Sequence, residues 1–209
     1  MIFEIPKEQI LKNLVRQLNS YFSLSDEENK IIKDLSQGVF SRCATCFSKN
    51  SNKYYSKDGE AYFNPYHSGQ YSIFLYYFSN AIFRDSKNNI RLADKIYYLN
   101  RIMNALDLFY EVELPEIFML DHPVGTVIGR ATYGNYFSFT QNCTVGNNKG
   151  IYPVIGEHVT LSAGSMILGN CKIGNNVILG ACACVKDDDI PDNSVVFGSS
   201  PNLIIKKRR

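Results

Sequence analysis

The sequence predicts a mixed fold: an α-helical N-terminal domain over residues 1–106, a parallel β-helix of hexapeptide repeats over 107–198, and a basic tail over 199–209. Three observations carry this prediction. Apolar residues near the N-terminus recur at helical spacing. From Ile155 an aliphatic residue returns at every sixth position through Leu161, Ile167, Ile173 and Leu179 to Val185, without a slip. The fifth position of the first five hexads is small or β-branched: Val159, Ser165, Cys171, Val177 and Ala183. A fixed period of six with this alternation is the mark of a β-helix, in which each hexad gives a short strand and a turn.

In the N-terminal part, Ile10, Leu14, Val15, Leu18 and Phe22 form one helical stripe. Ser25 followed by Glu28 fits a capping box for a helix over 26–35. The stretches 71–83 (YSIFLYYFSNAIF) and 92–110 (LADKIYYLNRIMNALDLFY) read as two further helices, the first apolar nearly all round and therefore buried. Between them the segment 49–69 is polar and rich in tyrosine, with Asp58-Gly59 as a hairpin turn. His67 reads as the residue that begins the buried helix.

In the repeat region three hexads close one triangular coil, with aliphatics filling the prism and small residues in its crowded corners. The period continues upstream through Tyr133, Phe139 and Val145, and Ile128 opens it one residue short. Between Val145 and Ile155 the spacing is ten, so four extra residues leave the coil as a loop. Cys143 and Cys171 take small inward positions, which gives them a structural role. His158 points outward, as a surface or trimer contact. The acidic run 186–192 (KDDDIPD) is a solvated turn and not a metal site, since no histidine accompanies it.

The 209-residue chain is 45% hydrophobic and 20% charged, ordinary for a globular protein, and its net charge of +2 is too small for a nucleic-acid footprint. The N-terminus lacks the continuous apolar segment of a signal peptide, and 71–83 is too short to span a bilayer. A cytoplasmic location with reduced thiols is expected for the six cysteines. Cys43-Ala-Thr-Cys46 has zinc or redox spacing but no second pair, and reads as two small helix residues.

With "LDH" at 120–122 opening the coils and "PVIGEHVTLSAGSMILGNCKIGNNVILGACACVKDDDIPDNSVVFGSSPN" following, the sequence resembles the serine acetyltransferases and related left-handed β-helix acyltransferases. The resemblance is best over 120–202 and weak over 1–100. It implies the left-handed coil sense, a homotrimer, and acetyl-CoA as co-substrate without a metal. It implies His122 as the general base that takes the proton from an acceptor hydroxyl, a task suited to imidazole. An acid is then expected to orient that ring. Asp107 lies fifteen residues before His122, as the family's acid does; alignment on Pro115 instead brings Glu111 or Glu113 near. Asp121 is the weaker choice, because adjacent side chains on a strand point to opposite faces.

The resemblance also implies that the pantetheine arm of CoA runs in a groove between two prisms, against Gly146, Ala163, Gly164, Gly180 and Ala181. Lys186 or the tail IIKKRR would face the CoA phosphates; the plainer reading of the tail is a solvated, partly disordered end. Ile151 and Tyr152 stand where the family has an Arg-His pair that grips the carboxylate of serine. Without that clamp, the expected acceptor is a sugar hydroxyl of a capsule or lipopolysaccharide. Serine is the alternative acceptor, and a non-catalytic trimeric scaffold the alternative of another class.

Overall fold

A computed structural model of the chain describes residues 1–85 and 89–208. It divides into two compact units, Met1–Asn104 and Ala105–Arg209. Among the described residues, no helix is long and apolar enough to cross a membrane.

The first unit is built on four helices: α1 (Lys7–Tyr21), α2 (Asp26–Ser48), α3 (Ser68–Asp85) and α4 (Ile90–Asn104). Helix α1 buries Ile10, Leu14 and Leu18, the centre of the expected stripe. The capping box is formed: Ser25 Oγ accepts the Glu28 N–H at 3.2 Å, and the Ser25 N–H donates to Glu28 Oε2 at 2.8 Å. Helix α2 runs thirteen residues beyond the expected 26–35, continuing through Gly38 and burying Val39, Phe40, Cys43, Cys46 and Phe47. Cys43 and Cys46 are both buried on this helix, and burial pushes the Cys43 thiol well above its ordinary range.

Helix α3 is buried on nearly every side, as its composition requires. His67 begins it, its Nδ1 accepting the Gln70 N–H at 3.3 Å. Helix α4 stops at Asn104, short of the expected 110, where Ala105 takes a left-handed φ of 49°. A small sheet completes the unit, with β1 (Ile2–Phe3) parallel to β3 (Glu60–Phe63) and β2 (Ser56–Lys57) antiparallel to β3. The Asp58-Gly59 turn between β2 and β3 has φ of 52° and 80°, the left-handed pair that a tight hairpin requires. In the tyrosine-rich segment, Tyr55 is buried while Tyr54 and Tyr66 are exposed.

Lys95 Nζ lies 2.6 Å from Glu28 Oε1. Burial pushes the Glu28 carboxyl up, but hydrogen bonds from Lys95 and the Ser25 N–H, with the charge of Lys95, outweigh it and hold the group below its ordinary 4.5. The unfolded chain therefore takes up this proton first. The stability contributed is complete above the unfolded value and is lost as pH falls through the lower folded value. Ser25→Ala is expected to cost about 1 kcal/mol, read as a lower urea midpoint. Glu28→Gln should flatten part of the acid limb of the stability profile; an unaltered limb would refute the linkage.

The second unit is a parallel β-helix whose strands form three faces. One face holds β7 (Thr132–Tyr133), β10 (Val154–Ile155) and β13 (Lys172–Ile173). The second holds β5 (Phe118–Leu120), β8 (Phe137–Phe139), β11 (Thr160–Leu161), β14 (Ile178–Leu179) and β16 (Ser194–Phe197), closed by β17 (Ile204–Lys207). The third holds β4 (Asp107–Leu108), β6 (Val127–Ile128), β9 (Thr144–Gly146), β12 (Met166–Leu168) and β15 (Cys184–Lys186).

Register confirms the repeat arithmetic. Val154 pairs with Lys172 and Thr160 with Ile178, both eighteen residues on, which is three hexads. Val154 pairs with Thr132 in the other direction, twenty-two residues back, so the four-residue insertion is real. It forms a small hairpin in which Asn148 and Ile151 exchange backbone hydrogen bonds around Lys149-Gly150. The six leading aliphatics from Ile155 to Val185 and the five small residues between them are all buried. At one corner the missing Cβ of Gly156 would sit 2.8 Å from Gly174 O, which explains glycine at the second hexad position.

The tail departs from the expected disordered end. Ile204–Lys207 runs antiparallel to β16, pairing Lys206 with Val195 and Ile204 with Phe197. The Arg208 N–H bonds Asn193 O at 2.7 Å, and its guanidinium bonds Asn176. The alternation of the strand with β16 and this anchor keep the segment in place. Arg209 of the basic tail lies outside the described residues.

Candidate active site

His122 follows β5 in the turn that leads to β6. Its φ is 47°, in the left-handed region, and its side chain is 86% exposed. The turn is held from three sides: the Asp121 N–H bonds Phe139 O, the Gly125 N–H bonds Ala105 O, and the Asn142 N–H bonds Val124 O, at 2.9–3.1 Å. Beneath it the buried Thr126 hydroxyl donates to Thr140 O at 2.6 Å and accepts the Cys143 N–H at 3.0 Å. Thr126 thus staples the corner that presents the imidazole. Sequence reading missed it, since a threonine in a turn carries no signal of burial.

His122 Nε2 lies 3.6 Å from Asp121 Oδ1, both side chains being largely exposed. The left-handed φ of His122 departs from the extended geometry in which neighbouring side chains point to opposite faces. Asp107 opens β4, and its N–H bonds Thr126 O at 2.9 Å, so its backbone adjoins the same turn. Glu111 is engaged by the Arg130 guanidinium. Glu113 is exposed on the stretch between β4 and β5.

Three of the expected CoA-contacting residues share the edge of His122. Hydrogen bonds step down this edge from Val124 O to the Asn142 N–H, from Gln141 O to the Gly164 N–H, and from Ala163 O to the Cys182 N–H. Ala163 and Gly164 therefore lie in one layer below the imidazole and Ala181 in the next. Beside them, backbone bonds stack Asp121, Thr140, Ser162 and Gly180 in one column. Most of the floor of this edge is made of small side chains, which suits an extended chain lying along it.

The other three candidates lie elsewhere on the coils. A Cβ at Gly180 would lie 2.6 Å from Phe197 Cδ1, so the glycine makes room for that ring. Gly146 and Lys186 occupy equivalent positions at the far ends of β9 and β15, with Leu168 between them. They adjoin the corner that carries the 147–152 loop, and within one subunit they do not join the His122 edge. Gly146 is open, its nearest obstruction being Leu168 Cδ2 at 3.6 Å.

His158 is exposed, stacked on Tyr136 with ring centroids 4.3 Å apart. Among the described residues, no group of three or more His, Cys, Asp or Glu side chains is arranged to hold a metal ion. Asp187, in the acidic turn, binds the chain instead: it accepts the Asn170 N–H at 2.9 Å and the Asn148 side-chain amide, and these bonds hold its carboxyl below the ordinary range.

The second unit is thus a prism of hexad coils with an exposed histidine at the head of one edge. Residues 152–187 match the bacterial transferase hexapeptide family, described by six repeats. The chain is 34% identical over 120 residues to a serine acetyltransferase of Staphylococcus epidermidis, a match covering 55% of each chain. It thus spans about half the length of that relative. The solved serine acetyltransferase of Neisseria gonorrhoeae superposes with a TM-score of 0.76 at 21% identity, covering 95% of this chain and 78% of that one. A serine acetyltransferase solved in complex with CoA gives 0.71 at 22% identity, covering 96% and 84%. Residues 152–187 thus match the hexapeptide-repeat model, and the chain shares the fold of the solved serine acetyltransferases, a helical N-terminal unit and a left-handed β-helix.

Proposed function

We propose that this chain is an acetyl-CoA-dependent O-acetyltransferase whose acceptor is the side-chain hydroxyl of serine or a close analogue. The observation that carries the reading is His122, held exposed by a left-handed turn at the head of an edge of small residues. Acetyl-CoA, when bound, supplies an activated thioester. Ala163, Gly164 and Ala181 would hold its arm, with basic side chains available for its phosphates. His122 accepts the proton of the acceptor hydroxyl at an imidazole nitrogen, and a neighbouring carboxylate fixes the ring. We further propose a homotrimer, in which a second subunit supplies the other wall of the groove; light scattering on the purified protein tests this.

The likeness to the staphylococcal serine acetyltransferase supports serine ahead of the sugar hydroxyl that the loop suggested. The sugar reading stands second on one observation. Ile151 and Tyr152, 50% and 43% exposed, occupy the loop positions where an arginine and histidine would grip a carboxylate. Thiol release from acetyl-CoA, measured with L-serine and with nucleotide-linked sugars, decides between them. L-Serine is expected to be the better acceptor. A preference for a sugar would overturn the serine assignment, and no thiol release with any acceptor would leave the scaffold reading.

A further inference from the structure

Three sulfur atoms on the second unit take no part in the proposed reaction. Cys182 and Cys184 stand on either side of the buried Ala183; both thiols are free, the first exposed and the second partly so. In the layer above, at about 4.8 Å, Met166 is the strand partner of Cys184. Its neighbours Ser165 and Ile167 are buried and Met166 is 37% exposed, so thioether and thiol share the outer surface of one face. Above Cys182 stands Gly164, where a Cβ would lie 3.3 Å from Cys182 Sγ. The thiol thus leans over the missing side chain, into the layer of Met166. Cys182 has a φ of 59°, in a column where Asn142 and Gly164 accept the left-handed region and cysteine does so less readily. The other four cysteines are buried.

Two thiolates and a thioether form a soft donor set, which selects monovalent copper over harder divalent ions. Structural zinc takes four ligands from cysteine, histidine and carboxylate, and among the described residues no three such groups gather. We propose that Cys182, Cys184 and Met166 bind one copper(I) ion on the surface of the prism. The ion displaces the two thiol protons to solvent and stays monovalent, so no oxidant or reductant is needed. Met166, unbranched and flexible, closes the site by turning its sulfur toward the two thiolates. The Cys182 N–H bonds Ala163 O at 2.8 Å, on the edge headed by His122. A bound ion therefore obstructs that edge and inhibits acetyl transfer. This consequence rests on the acyl-transfer reading above; the ion site does not.

The full chain, reduced and kept free of oxygen, is titrated against the coloured copper(I) complex of bathocuproine disulfonate. It should withdraw one equivalent of copper per chain, read as loss of colour. Cys182→Ser and Cys184→Ser should each abolish this uptake, and Met166→Leu, which keeps the volume, should weaken it about tenfold. X-ray absorption of the copper-loaded protein should show a shell of sulfur alone. Uptake retained in the double serine variant places the copper on the buried cysteines and overturns the site, as does an unchanged affinity in Met166→Leu or nitrogen in the shell. Copper should also slow thiol release from acetyl-CoA, and Cys182→Ser should relieve that inhibition. Copper bound without inhibition sinks the obstruction of the edge. Copper bound by a protein that transfers no acetyl group upholds the site and refutes the catalytic reading.

Discussion

His122→Asn is expected to lower turnover by about 100- to 10,000-fold, the range lost with a general base, while the protein remains folded and assembled. Asparagine is the better test residue because it tolerates the left-handed φ of 47° at this position. Alanine removes the imidazole too but pays for that conformation, about 1 kcal/mol, so His122→Ala should show the same catalytic loss with a slightly lower urea midpoint. The side chain is almost wholly in solvent, and nothing in the prism depends on it. Turnover unchanged in His122→Asn would remove the mechanism. Paired variants settle the orienting acid: a larger loss in Asp121→Asn than in Asp107→Asn assigns the role to the adjacent carboxylate, and the reverse assigns it across the coil.

The second large effect is on stability. Phe139→Ala is expected to cost about 3–5 kcal/mol, read as a lower urea midpoint with an unchanged slope. Phe139 is fully buried and stacks in register between Leu120 and Leu161, where neighbouring coils use aliphatics. Its ring lies 5.7 Å from Phe137, which lies 4.9 Å from Tyr133, so one layer of the prism is filled by aromatics. Alanine would leave a void that the rigid coils above and below cannot close. The same residue's carbonyl accepts the Asp121 N–H, so the variant should also lose activity at temperatures below its unfolding transition. A loss under 1 kcal/mol would show that the coil can repack around the gap.

Much of this architecture was legible before any coordinates. Six-residue spacing from Ile155 to Val185 fixed every coil contact there, since inward and outward positions repeat without a slip. The count of ten between Val145 and Ile155 located the hairpin insertion. Where reading failed, the cause was distant or conformational. Helix α4 ends at Ala105 without glycine or proline, so periodicity alone ran past the stop. The neighbour that explains Gly180 is Phe197, seventeen residues on and one layer below, which no local motif reveals. The left-handed φ of His122 is likewise invisible to a rule for strands, since histidine carries no turn signal. At the edge itself, sequence found the small residues of the wall but not Thr126, which holds the turn from within.

A ladder of parallel strands is open at its last rung, and each unpaired strand there is a template on which another molecule can continue the stack. Here β17 turns back across β16 in the opposite sense, with Lys206 and Lys207 on the strand. A second copy meeting this end finds reversed polarity and like charge on one face. On the other two it finds Ile190 bridged to Ile173 and Ser199 bridged to Cys184. Fibre growth by end-to-end propagation is thereby discouraged, and deletion of 203–209 should be visible as filaments under the electron microscope.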